Sequence, residues 1–285
     1  MILHETYGLS NGMNIPKLGL GTWEIPDNRA AQAVRDAVKI GYRLIDTAQG
    51  YDNERGVGEG VLREELFVTT KLQAFYKTYK EAKSAIDESL RISGLDYFDL
   101  MIIHAPQPWT DFHTDNHFFE GNLEAWRALE EAQKAGKLKA IGVSNFGEID
   151  LDNILQHGTV KPVVNQILCH IGNTPFALID YCKQNDILVE AYSPVAHGEM
   201  MKNEQISAMA KKYEVSIPQL CIRYCLQLGL LPLPKTANPA HMENNAEVDF
   251  VISDDDMETL KSAKRIKNYG DFSLFPVFGG KMAAD

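Results

Sequence analysis

Nowhere in the 285 residues is there an apolar run approaching the roughly 18 residues of a membrane span, so a membrane protein is not expected. The opening MILHETYGLSNG carries neither the basic nor the apolar run of a secretory leader. Cysteine is scarce: Cys169, Cys182, Cys221 and Cys225 lack the density of a disulfide framework. Cys221 and Cys225 could share one face of a helix, but without a second pair nearby they read as core residues rather than zinc ligands. Basic residues are outnumbered, 28 Lys and Arg against 39 Asp and Glu. A net charge of −11 argues against a nucleic-acid partner, while leaving room for a local basic pocket that takes one phosphorylated cofactor. Also absent is a G-x-G-x-x-G after a strand, the usual fingerprint of an open dinucleotide-binding sheet. These absences leave an acidic, cytoplasmic protein, and a hydrophobic fraction of 45% is enough for a full core.

What is present is alternation. Tyr7–Ile15 reads as a hairpin turning at Asn11-Gly12, a dipeptide suited to positive φ. Strands follow at Lys17–Thr22, Tyr42–Asp46, Leu66–Thr70, Tyr97–Ile103, Ala140–Val143, Val163–Gln166, Ile187–Ala191 and Leu230–Pro234. Between them lie helical patterns: one capped by Asn28 and closed by Gly41, one capped by Asn53, then Thr78–Ser93, Gly121–Gly136, Pro175–Gln184, Asn203–Tyr213 and Ile217–Leu228 with Ser216 as cap. Asp254-Asp255-Asp256 opens a further helix, where acidic charge suits the dipole. No composition break resembles a linker, so residues 1–285 are expected to form a single domain. Eight strand–helix units favour an α/β fold, a closed (β/α)8 TIM barrel with an N-terminal β-hairpin, over an open doubly wound sheet.

The polar residues then fall into a pattern. Asp46, Lys71, His104, Ser144-Asn145, Gln166, Tyr192 and Lys235 each close a strand, and in a barrel they converge at the C-terminal rim, where active sites of this fold lie. Two units are longer than the rest, His104–Ser144 and Tyr192–Lys235, which places extended loops for substrate at that rim. Tyr51 follows Asp46 closely. A tyrosine with a pKa of about 10 is a poor acid catalyst at neutral pH. A lysine alongside would lower that value, and a carboxylate would hold the lysine in place. His113 and His117, interleaved with Asp111 and Asp115, read as polar residues of a loop rather than a metal site.

The strings LGLGTW, GYRLIDTAQGYDNE, FVTTKL, DLMIIHAP, IGVSNF, VNQ, VEAYSP and LPKT occur in the order found in aldo-keto reductases. The chain resembles that family over nearly its whole length, and in particular its small bacterial, diketogluconate-reductase-like members. The resemblance implies reduction of an aldehyde or ketone by NADPH, without a metal, through a tetrad of Asp46, Tyr51, Lys71 and His104. Tyr51 would be the proton donor, with its pKa lowered by Lys71; Asp46 would position Lys71, and His104 would orient the carbonyl. Gly21, Thr22 and Asp46 would border the cofactor, and Ser144, Asn145 and Gln166 would hold the nicotinamide carboxamide. Tyr192 would stack on the ring, and Ser193, Pro194 and Val195 would follow the pyrophosphate. Lys235 and Thr236 would meet the 2′-phosphate, with Asn245 near the adenine. Where many relatives carry a phosphate-gripping arginine this chain has His241, a weaker phosphate ligand. Trp23, Trp109, Phe112 and Phe275 would form an apolar wall beside Tyr51 and His104. Gly50, Gln73 and Ala105 stand where relatives are bulkier, which suggests a wide pocket for bulky carbonyl substrates. A monomer is expected, and the tail Gly279–Asp285 is expected to be disordered until ligand binds. The alternatives are a non-catalytic NADP(H)-binding regulatory or redox-sensing barrel, and a barrel enzyme acting on phosphorylated sugars.

Overall fold

The computed structural model describes residues 1–61 and 66–281. A short hairpin, β1 (Thr6–Gly8) and β2 (Asn14–Pro16), pairs antiparallel around the Asn11-Gly12 turn, where Gly12 has φ +86°. Eight parallel strands follow: β3 (Leu20–Gly21), β4 (Leu44–Asp46), β5 (Phe67–Leu72), β6 (Phe98–Ile103), β7 (Leu138–Ser144), β8 (Val164–Leu168), β9 (Leu188–Tyr192) and β10 (Leu231–Leu233). They neighbour one another in chain order. The ring closes at a seam where Gly21 pairs with Lys235, Gly19 N donates to Pro232 O at 3.3 Å and Gly21 N donates to Pro234 O at 3.0 Å. This is the expected (β/α)8 barrel.

Period-two alternation along each strand divides the barrel interior into levels. At the bottom, Leu44, Phe67, Leu100, Ile102, Ala140, Val164, Leu231 and Leu233 form one buried cluster with Leu9 and Ile15 of the hairpin, which stops that end. One inward position further along, the same strands carry polar side chains: Leu44 gives way to Asp46, Val164 to Gln166 and Leu188 to Glu190. The level above the apolar plug is therefore where polar chemistry accumulates.

Helices cover the outside: α1 (Asp27–Ile40), α2 (Glu54–Gly60), α3 (Tyr79–Ser93), α4 (Phe119–Lys134), α5 (Glu148–His157), α6 (Phe176–Gln184), α7 (Glu204–Lys212), α8 (Ile217–Gln227), α9 (Pro239–Ala246) and α10 (Asp254–Lys261). Their apolar stripes pack against the outward strand residues in a second, larger cluster that includes all four cysteines, each buried and unpaired. Ser216 caps α8 as expected, and Thr78, expected as the first residue of α3, is its cap. Asn28 does not cap α1. That helix starts two residues earlier, at Asp27 with Pro26 in the cap position, because the Pro26 carbonyl already accepts from Arg29 N and Ala30 N. Lys71 and Gln166 lie inside their strands rather than after them, since β5 and β8 continue pairing to Leu72 and Leu168. At the tail, Gly280 N donates to Phe275 O at 3.0 Å, so the chain turns back on itself there, and residues 282–285 lie outside the described part.

The short helix α2 carries the segment after Tyr51, and its glycines explain its closeness to both neighbours. A Cβ on Gly56 would sit 2.0 Å from the Asp27 carbonyl oxygen of α1, and one on Gly58 would sit 1.9 Å from the Ser93 oxygen of α3. Backbone cannot yield as a side chain can. Alanine favours helix by about 1 kcal/mol over glycine, yet Gly58→Ala is expected to destabilise by about 1–3 kcal/mol through this overlap. Urea denaturation measures it, and an unchanged midpoint would show that α2 can move away from α3.

Candidate active site

Lys71 is 1% exposed and Asp46 is 4% exposed, so two charges sit inside the barrel. They are paired at 2.5 Å, and Lys71 Nζ also donates to the Thr47 carbonyl at 2.8 Å. The second Asp46 oxygen accepts from Gln166 Nε2 at 2.8 Å. Burial is the largest single influence and favours neutral lysine, but Asp46 and Tyr51 together outweigh it and hold Lys71 protonated. The loop that ends in Tyr51 is tied down by Asn53, whose amide donates to Thr22 O and Ile25 O at 2.9 Å and whose oxygen accepts from Thr47 Oγ1 at 2.6 Å. Asn53 therefore works as a brace across three segments, and its side chain makes no capping bond to α2.

Lys71 Nζ lies 4.7 Å from the centroid of the Tyr51 ring. Its charge favours the phenolate, as the sequence leads one to expect, but the net direction is the opposite. Burial raises the Tyr51 pKa, Lys71 offsets only part of that, and the Asp46 charge adds to the rise. Tyr51 is thus held as the neutral phenol, the form that can give up a proton, above a cation that eases its departure. His104 is neutral as well: burial and the nearby Lys71 charge keep its pKa well below the ordinary value. Its Nδ1 is buried without a partner, and an unpaired lone pair costs less there than an unpaired N–H. The ring proton therefore belongs on Nε2, which makes that atom a donor.

The aromatic rings form one continuous arc. Centroids are separated by 5.1 Å for Phe275 and Trp23, 6.5 Å for Trp23 and Tyr51, and 5.8 Å for Tyr51 and His104. The arc continues through Trp109 at 5.1 Å from His104 and Phe112 at 5.3 Å from Trp109. All six residues named for substrate in the sequence are brought together, with Tyr51 and His104 in the middle. His117 leaves this wall and pairs with Asp150 at 2.8 Å. Among the described residues no group of three or more metal-ligating side chains converges.

Beside the arc runs a polar shelf. Ser144 Oγ donates to Gln166 O at 2.8 Å, Asn145 Nδ2 donates to His104 O at 3.0 Å, and Tyr192 OH donates to Asn145 Oδ1 at 2.7 Å. Asn145 holds φ +60° and Ser193 φ +52°, so the chain turns sharply as it leaves β7 and β9. Thr22 is fully buried, with its hydroxyl already donated to Asp46 O, and Gly21 and Pro194 are buried in the wall while Val195 is half-buried. Beyond β10 a cleft of about 540 Å³ opens between Arg29, Lys235, Thr236, Ala237, Asn238 and Pro239. His241 is exposed on α9 outside that lining, and Asn245 is buried on the same helix.

Two residues of the site escape sequence reading. His197, at φ +51°, stacks on Phe272 at 4.0 Å, meets Trp23 at 5.3 Å and reaches Ser193 Oγ at 3.0 Å, so it clips the tail to the rim. Nothing in PVAHG signals that role. Glu190 accepts from Gln166 Nε2 at 2.7 Å, so a single amide serves two carboxylates. A charged residue two positions before an inward tyrosine was the available signal. Burial, with the Asp46 charge adding to it, pushes the Glu190 carboxyl up to about 7 from 4.5, against the pull of Gln166 and Lys71.

That shift has a measurable consequence. Between 4.5 and about 7 the folded protein keeps a proton that the unfolded chain has released. Stability therefore falls as pH rises through this window and levels off above it. Glu190→Gln cannot ionise, so its stability relative to the parent is expected to rise by about 2 kcal/mol from about pH 5 to about pH 8. Urea denaturation at both pH values gives the difference, and a gap that does not change with pH would overturn it.

Comparison with known proteins agrees with this geometry. Residues 17–265 match the Aldo/keto reductase family. The chain is 41% identical to an uncharacterized oxidoreductase of Saccharomyces cerevisiae, over 89% of this chain and 92% of that one. It is 38% identical to glyoxal reductase of Bacillus subtilis, over 94% and 96%. A crystal structure of the Bombyx mori aldo-keto reductase in complex with NADP superposes with a TM-score of 0.82 at 31% identity, over 94% of this chain and 95% of that one. The chain belongs to the aldo/keto reductase family.

Proposed function

We propose that residues 1–285 act as one catalytic unit that reduces an aldehyde or ketone with NADPH, and oxidises the alcohol in reverse, with Tyr51 as the acid. The observation that carries this reading is the buried Asp46–Lys71 pair beneath a protonated Tyr51. The NADP complex of the silkworm relative supports the cofactor, and the residues of this chain fit it. Both Gln166 amide hydrogens are taken by Asp46 and Glu190, so toward a carboxamide this side chain offers its carbonyl as acceptor. Ser144 and Asn145 hold the shelf on which the carboxamide would rest, and Tyr192 presents its ring. Ser193, Pro194 and Val195 follow as the track for the pyrophosphate, and Lys235 and Thr236 as ligands of the 2′-phosphate. When bound, the dihydronicotinamide supplies the hydride.

The side chains divide the remaining work. His104 Nε2–H donates to the substrate oxygen and fixes which atom faces Tyr51. Tyr51 O–H transfers its proton to that oxygen as negative charge develops on it. Lys71 stabilises the phenolate left behind, and Asp46 keeps Lys71 charged and in place. In the oxidative direction the same phenolate takes the proton back. The aromatic arc excludes water from the carbonyl and binds its apolar substituents.

The proposed room for bulky substrates lies on the side of Gly50 and Gln73. A Cβ on Gly50 would come within 3.1 Å of Gln73 Oε1, so the two residues fill one space with a movable amide. Ala105 contributes less. It is fully buried, and its carbonyl accepts from Lys77 Nζ at 3.3 Å. Bulky carbonyls are accordingly the proposed substrates. With purified protein, NADPH oxidation is expected with aromatic aldehydes, α-ketoesters and bulky diketones, and Tyr51→Phe is expected to lower kcat by about 10²–10⁴-fold. Efficiency that declines steadily with substrate size would rule out the wide pocket. Tight NADPH binding without turnover would instead favour a regulatory or redox-sensing role.

A further inference from the structure

The cleft beyond β10 joins two parts of the chain that are distant in sequence. Lys235 follows the last barrel strand, and Arg29 lies in the first turn of α1, after the first strand. The seam pairing of Gly21 with Lys235 makes them neighbours. In a chain of net charge −11, this cleft holds two cations and no carboxylate. Neither the Arg29 guanidinium nor the Lys235 ammonium makes a hydrogen bond or ion pair among the described residues. The cations nearby behave differently: Arg55 is paired with Asp27 and Glu59, and Arg35 with Glu59. Two unneutralised cations facing one opening make a site for an anion, and a phosphate monoester, with a charge between −1.5 and −2, matches them. Thr236 adds a donor, because its oxygen already accepts from Asn238 N at 3.1 Å and its O–H is left for the ligand.

We infer that Arg29 is a determinant of NADPH over NADH, its guanidinium holding the adenosine 2′-phosphate together with Lys235 across the barrel seam. This rests on the proposed cofactor reading and adds a residue that neither LPKT nor any neighbouring string contains. It also accounts for His241. The position on α9 where a guanidinium is missing lies outside the cleft, and α1 supplies the planar, bidentate group from the opposite wall.

The experiment titrates the intact protein with NADPH and with NADH, followed by quenching of tryptophan fluorescence, for the parent, Arg29→Ala, Arg29→Lys and Lys235→Ala. Arg29→Ala is expected to weaken NADPH by about 10–100-fold and leave NADH within about twofold, as expected for loss of a charge-assisted contact to the phosphate alone. Arg29→Lys should recover part of the loss, since it restores charge without the planar fork. Equal weakening of NADPH and NADH would overturn the inference, because it would mean that Arg29 only maintains local structure. If Lys235→Ala lowers NADPH affinity and Arg29→Ala does not, the inference fails while the cofactor reading stands. If neither variant alters the preference, the 2′-phosphate is bound elsewhere and both fail.

Discussion

The ion pair between Asp46 and Lys71 is the constraint on which the rest of the site depends. Taking two charges out of water costs several kcal/mol per ion, and their attraction compensates only when the geometry is good and the remaining donors are used. Here Lys71 has Asp46 and the Thr47 carbonyl, and the other Asp46 oxygen has Gln166. Those partners come from β4, the loop after it, β5 and β8, so satisfying the pair draws both halves of the barrel together. A polar level in the barrel interior would otherwise be a defect. The hairpin and the leucine-rich floor below it remove solvent from one side, which lets the pair act strongly on whatever lies above.

What lies above is a phenol and an imidazole, both neutral for the same reason. Burial sets the direction of the Tyr51, His104 and Glu190 shifts, and the charges of Lys71 and Asp46 adjust them. The site thus works as an environment before it works as a set of pairs. Its apolar half is built differently, from rings on five separate segments that share contacts along one arc. Rim loops can therefore change without disturbing the pair, and stability is separated from specificity within a single fold.

The sequence made the barrel legible because its two periods, alternation along strands and helical stripes between them, agree with each other from residue 17 onward. Asp46, Lys71, His104 and Tyr51 were legible because residues ending inward-facing strands must meet at one rim. Other features depend on geometry that no local pattern carries. Glu190 shares the inward parity of Tyr192, but its place beside Gln166 becomes visible only once β8 is registered against it. The net rise in the Tyr51 pKa needed the depth of burial, which outweighs the charge that the sequence did reveal. Asn53 has the right residue type for a cap and a different task, because Thr22 and Ile25 lie within its reach. Arg29 and Lys235 are joined by the seam alone.

That seam has a bearing on how the protein comes into being. The two strands that close the ring are the first and the last of the eight, so the tetrad and part of the floor can be drawn together by the N-terminal half while the ring remains open. Closure must wait for residues near 235, a contact of very long sequence separation and thus a slow one to form. An incomplete or unclosed chain could carry every residue of the tetrad and still present two facing edges, each a row of unsatisfied backbone groups open to pairing with another chain. The joint between Gly21 and Lys235 is, in that sense, the step that converts an aggregation-prone sheet into a barrel without edges.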